Sequence, residues 1–85
     1  MGPYNIYFKK SVEKDLRAIP KADLRRILSK ISQLQDDPRP HGCEKLTGQE
    51  RYRIRQDHYR IVYSIQDTEL TVWVVKVGHR KEIYR

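Results

Sequence analysis

The first half of the chain carries hydrophobic residues at helical spacing after a short aromatic segment. Residues 4–8 are rich in Tyr and Phe and predict a first strand. Val12, Leu16 and Ile19 then share one helical face, with Ser11 as the expected N-cap. Pro20 interrupts the chain, and a second predicted helix follows with an apolar stripe made of Leu24, Ile27, Leu28, Ile31 and Leu34.

The second half alternates as strands do. The predicted strands are, in order, Leu46 together with residues 52–56, then residues 59–66, and then residues 69–77. Gly48 is expected at a bend in the first of them. Two-residue turns at 57–58 and 67–68 are expected to join the three as antiparallel hairpins.

In that register the sheet has two unlike faces. The helices are expected to pack on the apolar face. This face is predicted to carry Ile54, Ile61, Tyr63, Ile65, Leu70, Val72 and Val74. The opposite face is predicted to carry Arg53, Arg55, Arg60, Val62, Trp73 and Val75. The order strand, helix, helix, then three strands predicts an α+β fold, with two N-terminal helices packed on one face of a mostly antiparallel sheet of about four strands.

Three arginines meet on the second face. The register puts Arg55 opposite Arg60 and Arg53 opposite Val62, with Ile54 opposite Ile61. Like charges that oppose one another directly destabilise a sheet. An anionic ligand would benefit, because guanidinium forks match phosphate oxygens in geometry and charge. The alternative is a solvated basic face on a basic protein.

Composition narrows the class of protein. The 85 residues predict a single domain, and 18 Lys and Arg against 11 Asp and Glu give a formal charge of +7. This charge favours a polyanionic partner, a nucleic acid first and an acidic protein second. Cys43 is the only cysteine, and the histidines show no metal-ligand spacing, so we expect no disulfide, no metal and no cofactor. No apolar run is long enough to span a bilayer, and a cytoplasmic protein is expected.

The end of the chain adds candidate chemistry. Gly78 permits a turn that would bring Arg80 and Tyr84 across the basic face, although a frayed basic terminus is the alternative. Such a cluster is suited to RNA cleavage, in which a 2′-hydroxyl attacks its own 3′ phosphate. Arginine stabilises charge well but is a poor base. Tyr84, His79 and His58 are the candidate proton acceptors, and the sequence leaves the choice among them open.

These residues carry a family resemblance. The segments Lys45-Leu46-Thr47-Gly48, Tyr52-Arg53-Ile54-Arg55, Tyr59-Arg60-Ile61-Val62-Tyr63 and Val77-Gly78-His79-Arg80, followed by Ile83-Tyr84, resemble the RelE branch of the RelE/ParE toxin superfamily. In the first half of the chain, Lys14-Asp15-Leu16 and Pro20 follow one another in the order that the family shows. The resemblance covers essentially the whole chain.

The resemblance implies the toxin of a toxin–antitoxin pair that enters the ribosomal A site and cuts mRNA without metal. It also implies a co-expressed antitoxin as partner, besides the ribosome and mRNA. The catalytic set that it implies is Arg53, Arg55, Arg60, Arg80 and Tyr84. In some members the pair in the second strand is lysine, and one lysine has been assigned as the base. Here both are arginine, which leaves the identity of the base open.

Other functions compete with this one. ParE-like relatives poison DNA gyrase by binding and do not require the arginine and tyrosine set. A plain nucleic-acid binder or an inactive relative is the third possibility. Contacts with RNA or the ribosome are assigned to Arg25, Arg26, Lys30, Lys45 and Arg51, and for the helix residues simple solubility is an equal alternative.

Overall fold

The computed structural model describes residues 2–48 and 50–79. The elements are β1 Asn5–Phe8, α1 Lys10–Arg17, α2 Lys21–Gln33, β2 Glu44–Lys45, β3 Tyr52–Gln56, β4 Tyr59–Gln66 and β5 Thr71–His79. This is the predicted α+β class, with two helices on one side of a sheet. The helical side encloses the core, in which Val12, Ile27 and Ile61 are fully buried.

The sheet has five strands in the order β1-β5-β4-β3-β2. β1 runs parallel to β5, and the other pairs are antiparallel. The expectation of one strand from Leu46 through 52–56 was wrong. Gly48 adopts a left-handed φ of 73°, and the chain reverses there, so that Glu44 pairs with Arg53 and Lys45 with Tyr52.

The first helix begins earlier than the sequence predicts, whereas the second begins after Pro20 as expected. Lys9, not Ser11, is the N-cap residue of α1, and no side chain caps either helix. Pro20 takes the N-cap position of α2, where its fixed φ suits the entry into a helix. On α2 the residues Ile27 and Ile31 are buried, but Leu28 is 40% exposed, because the apolar stripe is wider than the face that meets the sheet.

The turn between β4 and β5 is longer than expected. It spans residues 67–70, so β5 starts at Thr71. Leu70 has a φ of 50° and is 43% exposed, so its predicted place on the apolar face was wrong.

A β-bulge in β5 changes the alternation of its side chains. Val62 pairs with Lys76 and Tyr63 with Val74, which leaves Val75 without a directly opposed residue. Val74 and Val77 are therefore both buried although they are three residues apart. Simple alternation from Val74 would place Lys76 on the core face, and the bulge places Val77 there instead.

Arg39 ties the loop after α2 to the turn between β4 and β5. Its guanidinium donates two hydrogen bonds to the Asp67 carboxylate, at 3.1 and 2.9 Å, and one to the Tyr52 hydroxyl at 3.2 Å. The Tyr4 hydroxyl donates a further bond to Asp67 at 2.8 Å. The hydrogen bonds from Arg39, and then from Tyr4, lower the pKa of Asp67 from 3.8 to about 2.

This arrangement predicts a specific acid sensitivity. A carboxylate whose pKa is lowered in the folded protein stabilises the fold above its unfolded pKa, and that contribution is lost as the pH falls through the folded value. We therefore expect Asp67→Asn to be less stable than the parent at pH 7, and the difference to shrink between about pH 4 and pH 2. Urea denaturation of both proteins across that range measures it. A difference that stays constant across this range would contradict a contribution from the ionised Asp67 carboxylate.

Candidate active site on the open sheet face

Neighbouring arginines share the sheet face that the helices leave uncovered. Arg55 on β3 lies directly opposite Arg60 on β4, and Arg53 lies opposite Val62, as predicted. Residues that oppose one another directly point to the same face, with Cβ atoms about 5 Å apart. Gly78 on β5 is opposite Arg60 and adds no side chain to that row. The structure therefore brings the three predicted strand arginines together.

The arginines differ in their surroundings. Arg60 is only 5% exposed and donates a hydrogen bond to the Tyr59 carbonyl at 3.4 Å. The Arg53 guanidinium lies 3.3 Å from the Glu44 carboxylate, whereas Arg55 is exposed. Arg60 is thus a buried cation directly opposite Arg55, on a face that carries three arginines.

Glu44 is a site residue that sequence reasoning missed. It lies in β2 opposite Arg53, a pairing that exists only because the chain reverses near Gly48. The carboxylate fixes the position of the Arg53 side chain and neutralises part of its charge. The sequence signal was Gly48: reading it as the turn of a hairpin would have placed Glu44 opposite Arg53.

The same face has an aromatic end. Trp73 pairs with Ser64 of β4, and Tyr7 of β1 pairs with Trp73. Ser64 lies on the same face of β4 as Val62 and Arg60. The Tyr7 and Trp73 ring centroids are 5.2 Å apart with 31° between the ring planes. The rings are 47% and 40% exposed. The open face therefore runs from arginines on β3 and β4 to an exposed aromatic pair on β1 and β5.

The two histidines that were candidate bases lie on the helical side. His79 pairs with Tyr59, whose hydroxyl lies 3.3 Å from the Asp23 carboxylate of α2. The His79 ring contacts the Tyr59 ring at 5.9 Å, and the His58 ring stacks on His79 at 6.0 Å. His79 and Tyr59 also line a cleft of about 630 Å³ beside α1. By this pairing the His79 side chain points to the face opposite the one that carries Arg55 and Arg60, and His58 stacks on it.

Asp15 of α1 lies at the edge of β5 and also bounds this cleft. It accepts a hydrogen bond from the Val77 amide and contacts the Lys76 ammonium, both at 3.3 Å. Lys76 is paired with Val62, next to the arginines, but its charge is engaged with α1. It does not add a cation to the arginine face.

The remaining predicted residues divide into three groups. Arg26 forms ion pairs with Asp23 at 2.7 Å and Asp57 at 3.0 Å, which raise its pKa and hold α2 against the turn between β3 and β4. Lys45 lies 3.7 Å from Glu50. The second group is Arg25, Lys30 and Arg51, of which the two arginines are exposed. The predicted Arg80 and Tyr84 lie outside the described residues.

Residues 2–48 and 50–79 contain no group of three or more His, Cys, Asp or Glu side chains that would hold a metal ion. No helix within these ranges is long and apolar enough to cross a membrane.

Comparison with known proteins decides the family. A family model described as the ParE toxin of the type II toxin–antitoxin system parDE matches residues 6–84. The chain belongs to the RelE/ParE family of type II toxin–antitoxin toxins. It is 30% identical over 87 residues to Toxin RelG of Mycobacterium tuberculosis, with 98% of each chain covered.

Solved structures agree with this membership. The archaeal RelE–RelB complex of Pyrococcus horikoshii has a chain that is 31% identical, with a TM-score of 0.82 and coverage of 92% of this chain and 96% of that one. The isolated Escherichia coli RelE toxin is 28% identical, with a TM-score of 0.79 and coverage of 95% and 90%. The two helices on a mixed five-stranded sheet are therefore the RelE fold.

Proposed function

We propose that this toxin is a ribosome-dependent endoribonuclease that cuts mRNA in the A site. The observation that supports the proposal most is the row in which Arg55 directly opposes Arg60 while Arg60 is 5% exposed. Like charges that oppose one another directly do not stabilise a sheet. A phosphodiester placed over this row would accept charge-assisted hydrogen bonds from guanidinium groups of both strands. Similarity to toxins named RelE and RelG favours the same activity.

The proposed reaction is an internal transesterification. The 2′-hydroxyl of one nucleotide loses its proton to a base and attacks the adjacent phosphorus. The bond to the 5′ oxygen of the next nucleotide breaks, and that oxygen takes up a proton. The products are a 2′,3′-cyclic phosphate and a 5′-hydroxyl. Arg60 and Arg55 stabilise the negative charge that develops on the phosphoryl oxygens, and Arg53, oriented by Glu44, adds to it.

The base in this proposal is not an arginine. A guanidinium retains its proton throughout the accessible pH range. His58 and His79 lie on the helical side of the sheet, away from the arginine row. Tyr84 is therefore the proposed proton acceptor, assisted by Arg80, and both stay predictions from the sequence. No metal or cofactor enters the proposed steps.

The proposed partners are the ribosome, the mRNA and a protein antitoxin. The structures of similar toxins from P. horikoshii and E. coli include complexes with RelB. By this likeness, an antitoxin encoded with this toxin is proposed to hold it inactive in the cytoplasm. A charge of +7 on 85 residues suits an acidic antitoxin segment as well as RNA.

Primer extension on mRNA from an in vitro translation reaction tests the proposal. We expect the purified toxin to produce new 3′ ends within codons positioned in the A site, and none on the same mRNA without ribosomes. An intact message at a stoichiometric dose of toxin would contradict the proposal. Arg17→Ala, which removes an exposed cation from α1, serves as a control and should cut like the parent.

Gyrase poisoning is the second candidate, because the matching family model is described as a ParE toxin. A DNA supercoiling assay with purified gyrase distinguishes the two functions. We expect no inhibition at toxin concentrations that cut mRNA on ribosomes. Inhibition of supercoiling together with an intact message would favour the gyrase function.

A further inference from the structure

The aromatic pair Tyr7 and Trp73 is the feature of the open face that the proposed chemistry does not use. Both rings lie on the same face as Arg53 and Arg60, by the pairing of β1, β5, β4 and β3. They contact one another at 5.2 Å and are nearly half exposed. Large aromatic rings left in solvent cost free energy, and their exposure indicates a binding role.

The distance to the arginines suits neighbouring nucleotides of one strand. Trp73 is level with Ser64, two residues along β4 from Val62, which Arg53 opposes. With 4.8 Å between strands and 3.4 Å per residue, Trp73 lies roughly 12 Å from Arg53 and 14 Å from Arg60 along the sheet. The scissile phosphate and a base on a flanking nucleotide therefore reach both places at once.

The side chains of β4 between the two places are uncharged, and Val62 is itself buried. Ser64 and Val62 lie between Trp73 and the arginines on this face, and neither is charged. Single-stranded nucleic acids are held by cations along the backbone together with aromatic rings on which bases stack. An apolar protein segment would suit the rings, but the same segment would then meet the arginines. The continuity of rings and guanidinium groups favours RNA.

We propose that Tyr7 and Trp73 form a stacking platform for a base that flanks the cleaved phosphodiester. The inference rests on the proposed function for its substrate. The platform holds the message in register over the arginines and takes no part in proton transfer. Its contribution is to binding, and stacking is tolerant of base identity because every base has a π face.

The first test measures cleavage on ribosomes at a series of toxin concentrations. Trp73→Ala is expected to raise the concentration for half-maximal cleavage about tenfold, which lies within the range of stacking energies for one base. The maximal rate should change little, and Trp73→Phe should restore most of the loss. Phe8→Ala is the matched control, since Phe8 is the next exposed aromatic on β1 but pairs with the buried Val74 on the helical side.

An abasic nucleotide separates stacking from a merely structural role. Two messages each carry one abasic nucleotide, either 5′ or 3′ to the cut. At one of these positions we expect the concentration of parent toxin for half-maximal cleavage to rise about tenfold, with no further rise for Trp73→Ala. Equal weakening of parent and variant would overturn the platform while leaving the cleavage itself intact. Unchanged cleavage by Trp73→Ala, together with loss of its co-purification with the antitoxin, would assign the pair to the protein interface and also overturn it.

Fluorescence tests the platform without cleavage. Trp73 is the only tryptophan in the chain, so its emission reports on this site alone. Titration of the full chain at low salt with a single-stranded RNA oligomer should quench that emission, and an abasic sugar–phosphate oligomer of the same length should quench it less. If the toxin fails to cut mRNA but shows this difference, the proposed function fails, whereas stacking of an RNA base on Trp73 stands without a cleavage site beside it. Equal quenching, or none, would overturn the platform.

Discussion

Arg60→Ala is expected to lower the rate of mRNA cleavage on ribosomes by about 10²–10³-fold, the usual loss when one preorganised donor to a developing oxyanion is removed. Arg60 is 5% exposed and lies in the middle of the row between Arg55 and Gly78. Its guanidinium needs little reorganisation when the charge develops. Arg60→Lys should recover only part of the rate, because an ammonium keeps the charge and loses the planar fork.

Single-turnover cleavage of an mRNA with one defined A-site codon measures this loss. Since Arg60 is buried, thermal unfolding of each variant is recorded alongside, and rates are compared only for folded protein. Arg17→Ala removes the same charge from the helical side and should keep the parental rate. If folded Arg60→Ala cuts within a few-fold of the parent, the arginine row is not the site of phosphate stabilisation.

Tyr63→Ala is expected to lower the free energy of unfolding by about 3–5 kcal/mol, as for other large aromatic residues in a core. Tyr63 is fully buried, and its ring stacks on Tyr52 at 6.0 Å. Its hydroxyl donates a 2.8 Å hydrogen bond to the Pro38 carbonyl. Burial raises the pKa of Tyr63 above its ordinary value, so the hydroxyl stays protonated. The ring thus anchors the loop after α2 to the centre of the sheet.

Tyr63→Phe separates packing from hydrogen bonding. It keeps the ring and leaves the Pro38 carbonyl without this donor, so we expect a loss of about 1 kcal/mol. Urea denaturation and thermal unfolding measure both variants, and Tyr63→Ala should lower Tm by roughly 15–30 °C in a domain of this size. A loss for Tyr63→Phe as large as that for Tyr63→Ala would mean that the hydrogen bond, not the ring, anchors the loop.

The hairpin of β3 and β4 was predictable because local signals agree. Alternating residues on both sides of Asp57-His58 set the length of the turn, and the turn sets the register. The predicted opposition of Arg55 to Arg60 and of Arg53 to Val62 is confirmed. The face shared by the arginines follows from that register alone.

Other parts of the fold depend on contacts that local pattern does not show. The bulge at Val75 is a property of how β5 pairs with β4, and simple alternation misses it. Leu70 looks like a core residue by spacing, but the turn needs a left-handed residue there and leaves it exposed. The reversal at Gly48 was interpreted as a bend within one strand.

The candidate site was predictable in part for the same reason. Residue type and register place the arginines, but their ion-pair partners come from distant segments. Glu44 reaches Arg53 through a separate hairpin, and Asp57 engages Arg26 from a turn 31 residues away in sequence. His79 seemed close to the arginines along the chain, yet its pairing with Tyr59 turns it to the helical side. Arg80 and Tyr84 stay predictions.

Replacement of a single 2′-hydroxyl tests the central claim most directly. On ribosomes programmed with a defined message, a 2′-deoxy nucleotide is placed immediately 5′ to the mapped cut, and the toxin is added. We predict that cleavage at that bond is lost, whereas the all-ribose message is cut to a 2′,3′-cyclic phosphate and a 5′-hydroxyl. Continued cleavage of the 2′-deoxy message at the same bond would contradict internal attack on a phosphate held by the arginine row.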